Sequence, residues 1–381
     1  EIIDVLGMDR LYQEIGNLAL EGFTAPKILW LKQNEPDNYS QLRTILMPKD
    51  YIRYRLTGEL ATDESDAAGT ILYDVRKQEW SEPVLESLDI SSEILPPVLK
   101  STAVCGTVST FIARDLRLPE QIPVICGGAD NAVGAVSSGV VVPGQSQSSI
   151  GTSGTILTPV IAPLVGTDMN LHMFSHCVPD MWYLMGTILS AGNSLKWLRN
   201  TFTPAESYET IVGRASDVNV GAEGLIFLPY LSGERTPHNN PNARGVFFGL
   251  NTSHSLAHLT RAVLEGVGFA LKDSIELIKI LGISLNTVRG IGGGNNSVLW
   301  RQIQSNVFNL PVANVLPGGG PAYGAAMLAS VGVNHFSSVY DCVDQWIQET
   351  KIVDPIETEV YLYQELYDNY VSLYRSLEDR F

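Results

Sequence analysis

Apolar and polar positions along the chain follow a pattern that predicts short strands interleaved with amphipathic helices. The run from Ile122 to Cys126 is short, apolar and rich in β-branched residues, which predicts a buried strand. Gly127 to Val136, GGADNAVGAV, follows with small residues that can pack closely as a helix, and Asp130 is the one ionised side chain among them. Phe23 to Asn34 predicts a helix opened by Pro26, with Ile28, Leu31 and Trp30 on its apolar face and Trp30 in the core. TILMPKDYIRYRLTGE, from Thr44 to Glu59, predicts a short strand, a break at Pro48 and a helix stopped by Gly58. The amphipathic run from Leu256 to Leu281 predicts one long helix.

Glycine turns punctuate the pattern. In Gly144 to Val160, GQSQSSIGTSGTILTPV, β-prone flanks predict a strand, a tight Gly-Thr-Ser-Gly turn and a second strand. Tyr183 to Phe202 predicts a strand that breaks at Ala191-Gly192 into an amphipathic helix. Val288 to Val307 places Gly292 to Gly294 between an apolar strand and a helix, and Pro317 to Ala329 predicts a further glycine turn before a helix of small residues. The polar ATDESDAAGT, Ala61 to Thr70, predicts a loop in which Asp63, Glu64 and Asp66 serve as helix caps rather than as a site edge.

At 381 residues the chain can bury a large core, and its length suggests two or three domains. With 41 acidic and 25 basic residues the net charge is -16, which argues against attraction to nucleic acid or to an anionic membrane surface. An anionic ligand must then be held locally, by helix N-termini, backbone N–H groups or a bound metal ion. Cys105, Cys126, Cys177 and Cys342 are widely spaced with no CxxC pair, so neither a zinc site nor a disulfide framework is indicated, and a reduced, cytoplasmic setting fits. No apolar run reaches transmembrane length, and the N-terminus lacks a signal-peptide profile.

Asp130 lies just past a strand end, where open α/β folds bind ligands; it can equally be the cap of the next helix, and both readings stay open on these residues alone. The Gly151 to Gly154 turn can be a plain hairpin or a phosphate cradle, since N–H groups and two hydroxyls converge where no bulky side chain intrudes. Walker A spacing is absent. The glycine triplet at Gly292 can admit a nucleotide or be an ordinary turn. His172 and His176 are four apart with Cys177 next, but the stretch reads as loop and strand, so no metal site is assigned.

Taken together, the segments resemble the FGGY carbohydrate kinases over nearly the whole chain. The resemblance is carried by GFTAPKILWLKQN at Gly22 to Asn34 and GVFFGLNTSHSLAHLTRAVLE at Gly245 to Glu265, which match that family's two diagnostic patterns. Asp130-Asn131, the turn at Gly151 to Gly154 and GGGNNSVLWRQ at Gly292 to Gln302 stand in the same order. MPKDYIRYRLTGE and LPYLSGERTPHNNPNARGVFFGL resemble the members that phosphorylate D-xylulose at its 5-hydroxyl.

The resemblance implies an α/β chain of two actin-like, ribonuclease-H-like domains with sugar and ATP meeting in an inter-domain cleft. The domains would span residues 1–143, sugar-binding, and 144–381, nucleotide-binding. It implies that Asp130 is the general base and contacts the sugar, and that Asn131 hydrogen-bonds the ketose. Gly151, Thr152 and Ser153 would hold the ATP phosphates, Gly192 would line the nucleotide site, and Gly293, Gly294 and Ser297 would lie beside the adenosine. Mg²⁺ would bridge the phosphates. Glu234 and Arg235 read as an ion pair or loop brace.

The family's opening hairpin with its DxGT aspartate, and the Met-His pair of its xylulose-specific members, are absent from this chain. The first domain is therefore expected to be incomplete before Glu1, and a homodimer is one way to cover its edge. Within the same resemblance the sugar could instead be gluconate, ribulose or a related polyol. A non-catalytic, sugar-responsive binding module is the reading from a different class.

Overall fold

The structure is a computed structural model that describes residues 1–164, 170–318 and 320–381. It divides into two compact units. The first comprises Glu1–Val141, Pro159–Leu184 and Gly319–Ile347, and the second Val142–Thr158, Met185–Gly318 and Gln348–Phe381.

In the first unit, helix α1 (Thr24–Asn34) buries Ala25, Ile28 and Leu29 in a core with Leu11, Ile15, Ile71, Leu72 and Val84. That i, i+3, i+4 stripe turns Trp30 outward, and it is 55% exposed rather than in the core as expected. Thr44 to Met47 forms no strand; the Ile45 N–H donates to the Ile94 carbonyl at 2.8 Å. Helix α2 (Pro48–Thr57) starts at Pro48 and ends as expected at Gly58, whose φ of 83° supplies the left-handed C-cap. The segment read as a polar loop contains a short buried helix, α3 (Glu64–Ala68). Of its three carboxylates only Asp63 caps, accepting the Ser65 N–H at 2.8 Å; Glu64 pairs instead with Lys100 and Asp66 with Lys49.

Pro123–Ile125 pairs antiparallel with Val104–Thr107 in a two-stranded sheet. One neighbouring strand covers it, so Pro123 is exposed and Val124 and Ile125 are half-buried, against the expectation of a buried strand. Helix α4 (Asp130–Ser137) follows, buried from Ala132 to Ser137. The expected small-residue helix is Gly320–Gly332; Gly319 of the turn before it lies outside the described residues. The small residues let α4 and this helix come together until a Cβ on Gly324 would stand 1.9 Å from the Val133 carbonyl oxygen.

The second unit is built on a sheet of β1 (Gln145–Ile150), β2 (Gly154–Val160), β3 (Trp182–Ile188), β4 (Thr287–Ile291), β5 (Val312–Leu316) and β6 (Gln348–Val353), in the spatial order β6-β5-β4-β1-β2-β3. β1, β4 and β5 are parallel, while β1 and β2 form an antiparallel hairpin with Ile150 opposite Gly154. Met185–Ile188 is the part of β3 within this unit. Helix α5 (Gly192–Phe202) follows β3, α6 (Tyr208–Ala215) comes next, the long helix α7 (Leu256–Ile280) appears as expected, and α8 (Val298–Phe308) follows β4.

The contact at Gly324 yields a test of what positions α4. Gly324→Val should cost about 1–3 kcal/mol of stability through overpacking, read as a lower urea midpoint at unchanged slope. An unchanged midpoint would show that the two helices are not held at this distance.

Candidate active site

The hairpin and glycine turns of the second unit converge on one cavity of about 740 Å³. Gly151, Thr152, Gly192, Gly293, Gly294 and Ser297 line it; Ser153 stands exposed at the tip of the β1–β2 turn, outside the lining. The Gly192 N–H donates to the Gly151 carbonyl at 2.8 Å, and the Ala191 and Asn193 N–H groups donate to the Thr152 carbonyl at 3.0 and 3.1 Å. The turn's carbonyls thus consume the first donors of α5. Among the described residues, the N–H and hydroxyl groups of Thr152 and Ser153 carry no hydrogen bond, which leaves a small set of donors suited to phosphate oxygens.

The second glycine turn is fixed from behind by residues that the sequence reading passed over. Asn295 Nδ2 donates to the carbonyls of Ser148 at 3.1 Å and Ile291 at 2.6 Å, and its Oδ1 accepts from Gln304 Nε2 at 2.9 Å. Ser148 Oγ closes the buried network by donating to Gln304 Oε1 at 2.6 Å. Gly293 has nothing within 4 Å of an added Cβ and is open, whereas a Cβ on Gly294 would stand 2.3 Å from Ile150 Cγ2. Ser297 caps α8, its Oγ accepting the Trp300 N–H at 3.2 Å. The signal for this network was the Asn-Asn-Ser run followed by Gln304, and it was hidden because its partner, Ser148, is distant in sequence.

Glu234 and Arg235 do not form an ion pair within the accepted distance among the described residues; Glu234 is a brace instead. Its buried Oε1 accepts the Leu189 N–H at 2.9 Å and the Arg235 N–H at 2.8 Å, beside the end of β3. Thr236 adds a reciprocal clamp, with the Thr187 N–H donating to Thr236 Oγ1 and the Thr236 N–H to the Thr187 carbonyl, both at 3.1 Å. The brace therefore holds the strand that runs into Gly192. Burial, only partly offset by the two N–H donors, raises the Glu234 carboxyl to about 8, so it is largely neutral at pH 7.

In the first unit Asp130 is the first residue of α4 and does not cap it. The N-cap is Ala129, without a side-chain hydrogen bond. Asp130 Oδ1 accepts from the Asn131 N–H at 2.7 Å and from Asn131 Nδ2 at 3.1 Å. The carboxylate is exposed, and a Cβ on Gly134, one turn along the same face, would meet nothing within 4 Å. Asn131 is thus first a partner of Asp130, with its amide turned toward that carboxylate. His172 and His176 are buried, in β-structure and just beyond it, and burial pulls the His176 imidazole down to about 4.

A carboxylate opening one helix and a separate cradle of phosphate-seeking N–H groups are the parts of a kinase that phosphorylates an alcohol. The family model described as the FGGY family of carbohydrate kinases, N-terminal domain, matches residues 1–137, and that of the C-terminal domain matches residues 146–333. The chain belongs to the FGGY family of carbohydrate kinases and has its two-domain, actin-like fold of ribonuclease-H-like type.

Among its relatives, a xylulose kinase of Staphylococcus epidermidis is 39% identical over 98% of this chain and 75% of its own length. A xylulose kinase of Bacillus subtilis is 40% identical over 97% and 74%. A solved structure described as a xyloylose kinase from Brucella ovis superposes with a TM-score of 0.94 at 32% identity, covering 100% of this chain and 78% of that one. No helix among the described residues is long and apolar enough to cross a membrane, and all four cysteines are free and buried.

The Glu234 brace has a pH signature. A carboxyl raised from 4.5 to about 8 on folding holds its proton more tightly in the native state, so its contribution is complete below about pH 4.5 and is lost as the pH rises through 8. Glu234→Gln, a permanent mimic of the neutral acid, should gain stability relative to the wild type over that window, by up to about 1.4 kcal/mol per pH unit. Urea unfolding of both proteins at several pH values checks this; parallel stability curves would contradict a buried neutral acid.

Proposed function

We propose that the chain transfers the γ-phosphoryl group of ATP to the 5-hydroxyl of D-xylulose. The observation that carries this reading is the roughly 40% identity, across almost the whole chain, to proteins named as xylulose kinases. In this reading residues 1–143 form the sugar-binding domain and 144–381 the nucleotide-binding domain. Asp130 accepts the proton of the 5-hydroxyl as that oxygen bonds to the γ-phosphorus and the bond to the ADP oxygen breaks. Its exposed carboxylate supports this role, since Asn131 is its hydrogen-bond partner and no cation pairs with it among the described residues. Asn131 orients the carboxylate and offers an amide to the ketose.

Gly151 and the donors of Thr152 and Ser153 hold the phosphates, Gly192 lines the nucleotide site, and Gly293, Gly294 and Ser297 lie beside the adenosine. Magnesium enters this reading with the substrate as Mg²⁺–ATP, neutralising the β- and γ-phosphates. A cytoplasmic setting and a homodimer belong to the same proposal. The first rests on the free cysteines, the second on exposed apolar Ile52, Val104 and Phe111.

Asp130→Ala should lower kcat at least roughly 10²-fold while leaving ATP affinity little changed. Retention of more than about a tenth of wild-type kcat would remove Asp130 as the base, given that same span. In the same assay xylulose should outpace ribulose and gluconate, and equal or better turnover of gluconate would redirect the substrate assignment.

A further inference from the structure

The segment that leads into α4 rests on a buried chain of polar side chains that the reaction as described does not use. The Ala129 N–H, which opens the helix, donates to Ser65 Oγ at 2.9 Å. Ser65 Oγ in turn donates to Asp63 Oδ2, which also accepts the Ser65 N–H at 2.8 Å and the Ser101 hydroxyl at 3.3 Å. Asp63 Oδ1 is ion-paired with Lys49 Nζ at 2.8 Å, and the same ammonium reaches Asp50 at 2.5 Å and Asp66 at 3.1 Å.

Asp63 is fully buried and Ser65 nearly so. Gly128 is wedged in place, since a Cβ there would stand 2.3 Å from Cys177 Sγ and 3.1 Å from Ser65 Oγ. Burial alone would discharge Lys49, but Asp63, Asp66 and Asp50 outweigh it and hold the ammonium charged. A buried ionic cluster of this kind is weak as a source of stability, because apolar replacements of similar volume are often as stable. What it does supply is direction: Asp63 accepts the Ser65 hydroxyl proton, which turns the Ser65 oxygen into the acceptor of the Ala129 N–H, on the residue next to Asp130.

We propose that Ser65 and Lys49 are positioning residues for Asp130, acting through the Lys49–Asp63–Ser65–Ala129 chain to fix the start of α4 and the direction in which the carboxylate is presented. This rests on the reading of Asp130 as the general base. Removing the Ser65 hydroxyl frees the Ala129 N–H and lets the helix start drift, and a misplacement of about 1 Å is enough to cost on the order of 10²-fold in rate.

The test is a double-substitution cycle in the full chain, with turnover measured on xylulose and ATP. Ser65→Ala should lower kcat roughly 10- to 10²-fold, with the KM for ATP unchanged within about twofold. In an Asp130→Ala background the same change should lower the residual rate no further, because the group it positions is gone. Lys49→Met should follow the same pattern and Lys49→Arg, which keeps the charge, should recover most of the rate. If Asp130→Ala lowers kcat at least roughly 10²-fold while Ser65→Ala leaves kcat intact, or lowers it equally in both backgrounds, the positioning role is wrong and the base assignment stands. If Asp130→Ala itself retains ordinary turnover, both fall together.

Discussion

The second unit depends on backbones approaching more closely than any side chain would allow. A Cβ on Gly192 would lie 2.4 Å from the Gly151 carbonyl oxygen, and one on Gly292 would lie 2.6 Å from that of Ile150. These two contacts bring the hairpin turn, the start of α5 and the turn after β4 to one cavity, and they leave the donors of Thr152 and Ser153 unspent. The supporting side chains serve that approach. Asn295, Gln304 and Ser148 tie the β4 turn to β1, while Glu234 and Thr236 tie down the strand that runs into Gly192.

The first unit solves a related problem with charge instead of glycine. In the proposed reaction Asp130 is presented without serving as the N-cap, a place that Ala129 takes, so another group must anchor the helix start. Ser65 does this by accepting the Ala129 N–H, and the carboxylate of Asp63 and the ammonium of Lys49 hold Ser65 in turn. Gly134 keeps the face beyond Asp130 open. In the proposed reaction the start of α4 is thus held by partners that are themselves hydrogen-bonded or ion-paired, which is what catalysis by positioning requires.

Features that depend on neighbours in sequence were legible in the chain. The hairpin around Gly151, the break at Gly192, the cap at Gly58 and the long helix from Leu256 follow from local turn chemistry and periodicity, and the structure has each of them. Features that depend on distant partners were not. Asp63 is the cap it was read as, but Glu64 and Asp66 read as caps because their cations, Lys100 and Lys49, come from elsewhere in the chain. Trp30 read as core because its size outweighed a helical phase set by Ala25, Ile28 and Leu29. Thr44 to Met47 has a strand's composition but no partner strand to pair with among the described residues.

The central claim is that backbone approach at glycine builds the cavity proposed to hold the nucleotide, and Gly192→Ala tests it most directly. The added methyl group, directed at the Gly151 carbonyl oxygen, should push the hairpin turn off α5. Calorimetric titration should then find ATP bound at least roughly tenfold more weakly, a loss of about 1.4 kcal/mol or more, with xylulose affinity unchanged. A variant that folds normally and binds ATP as tightly as the wild type would contradict the account.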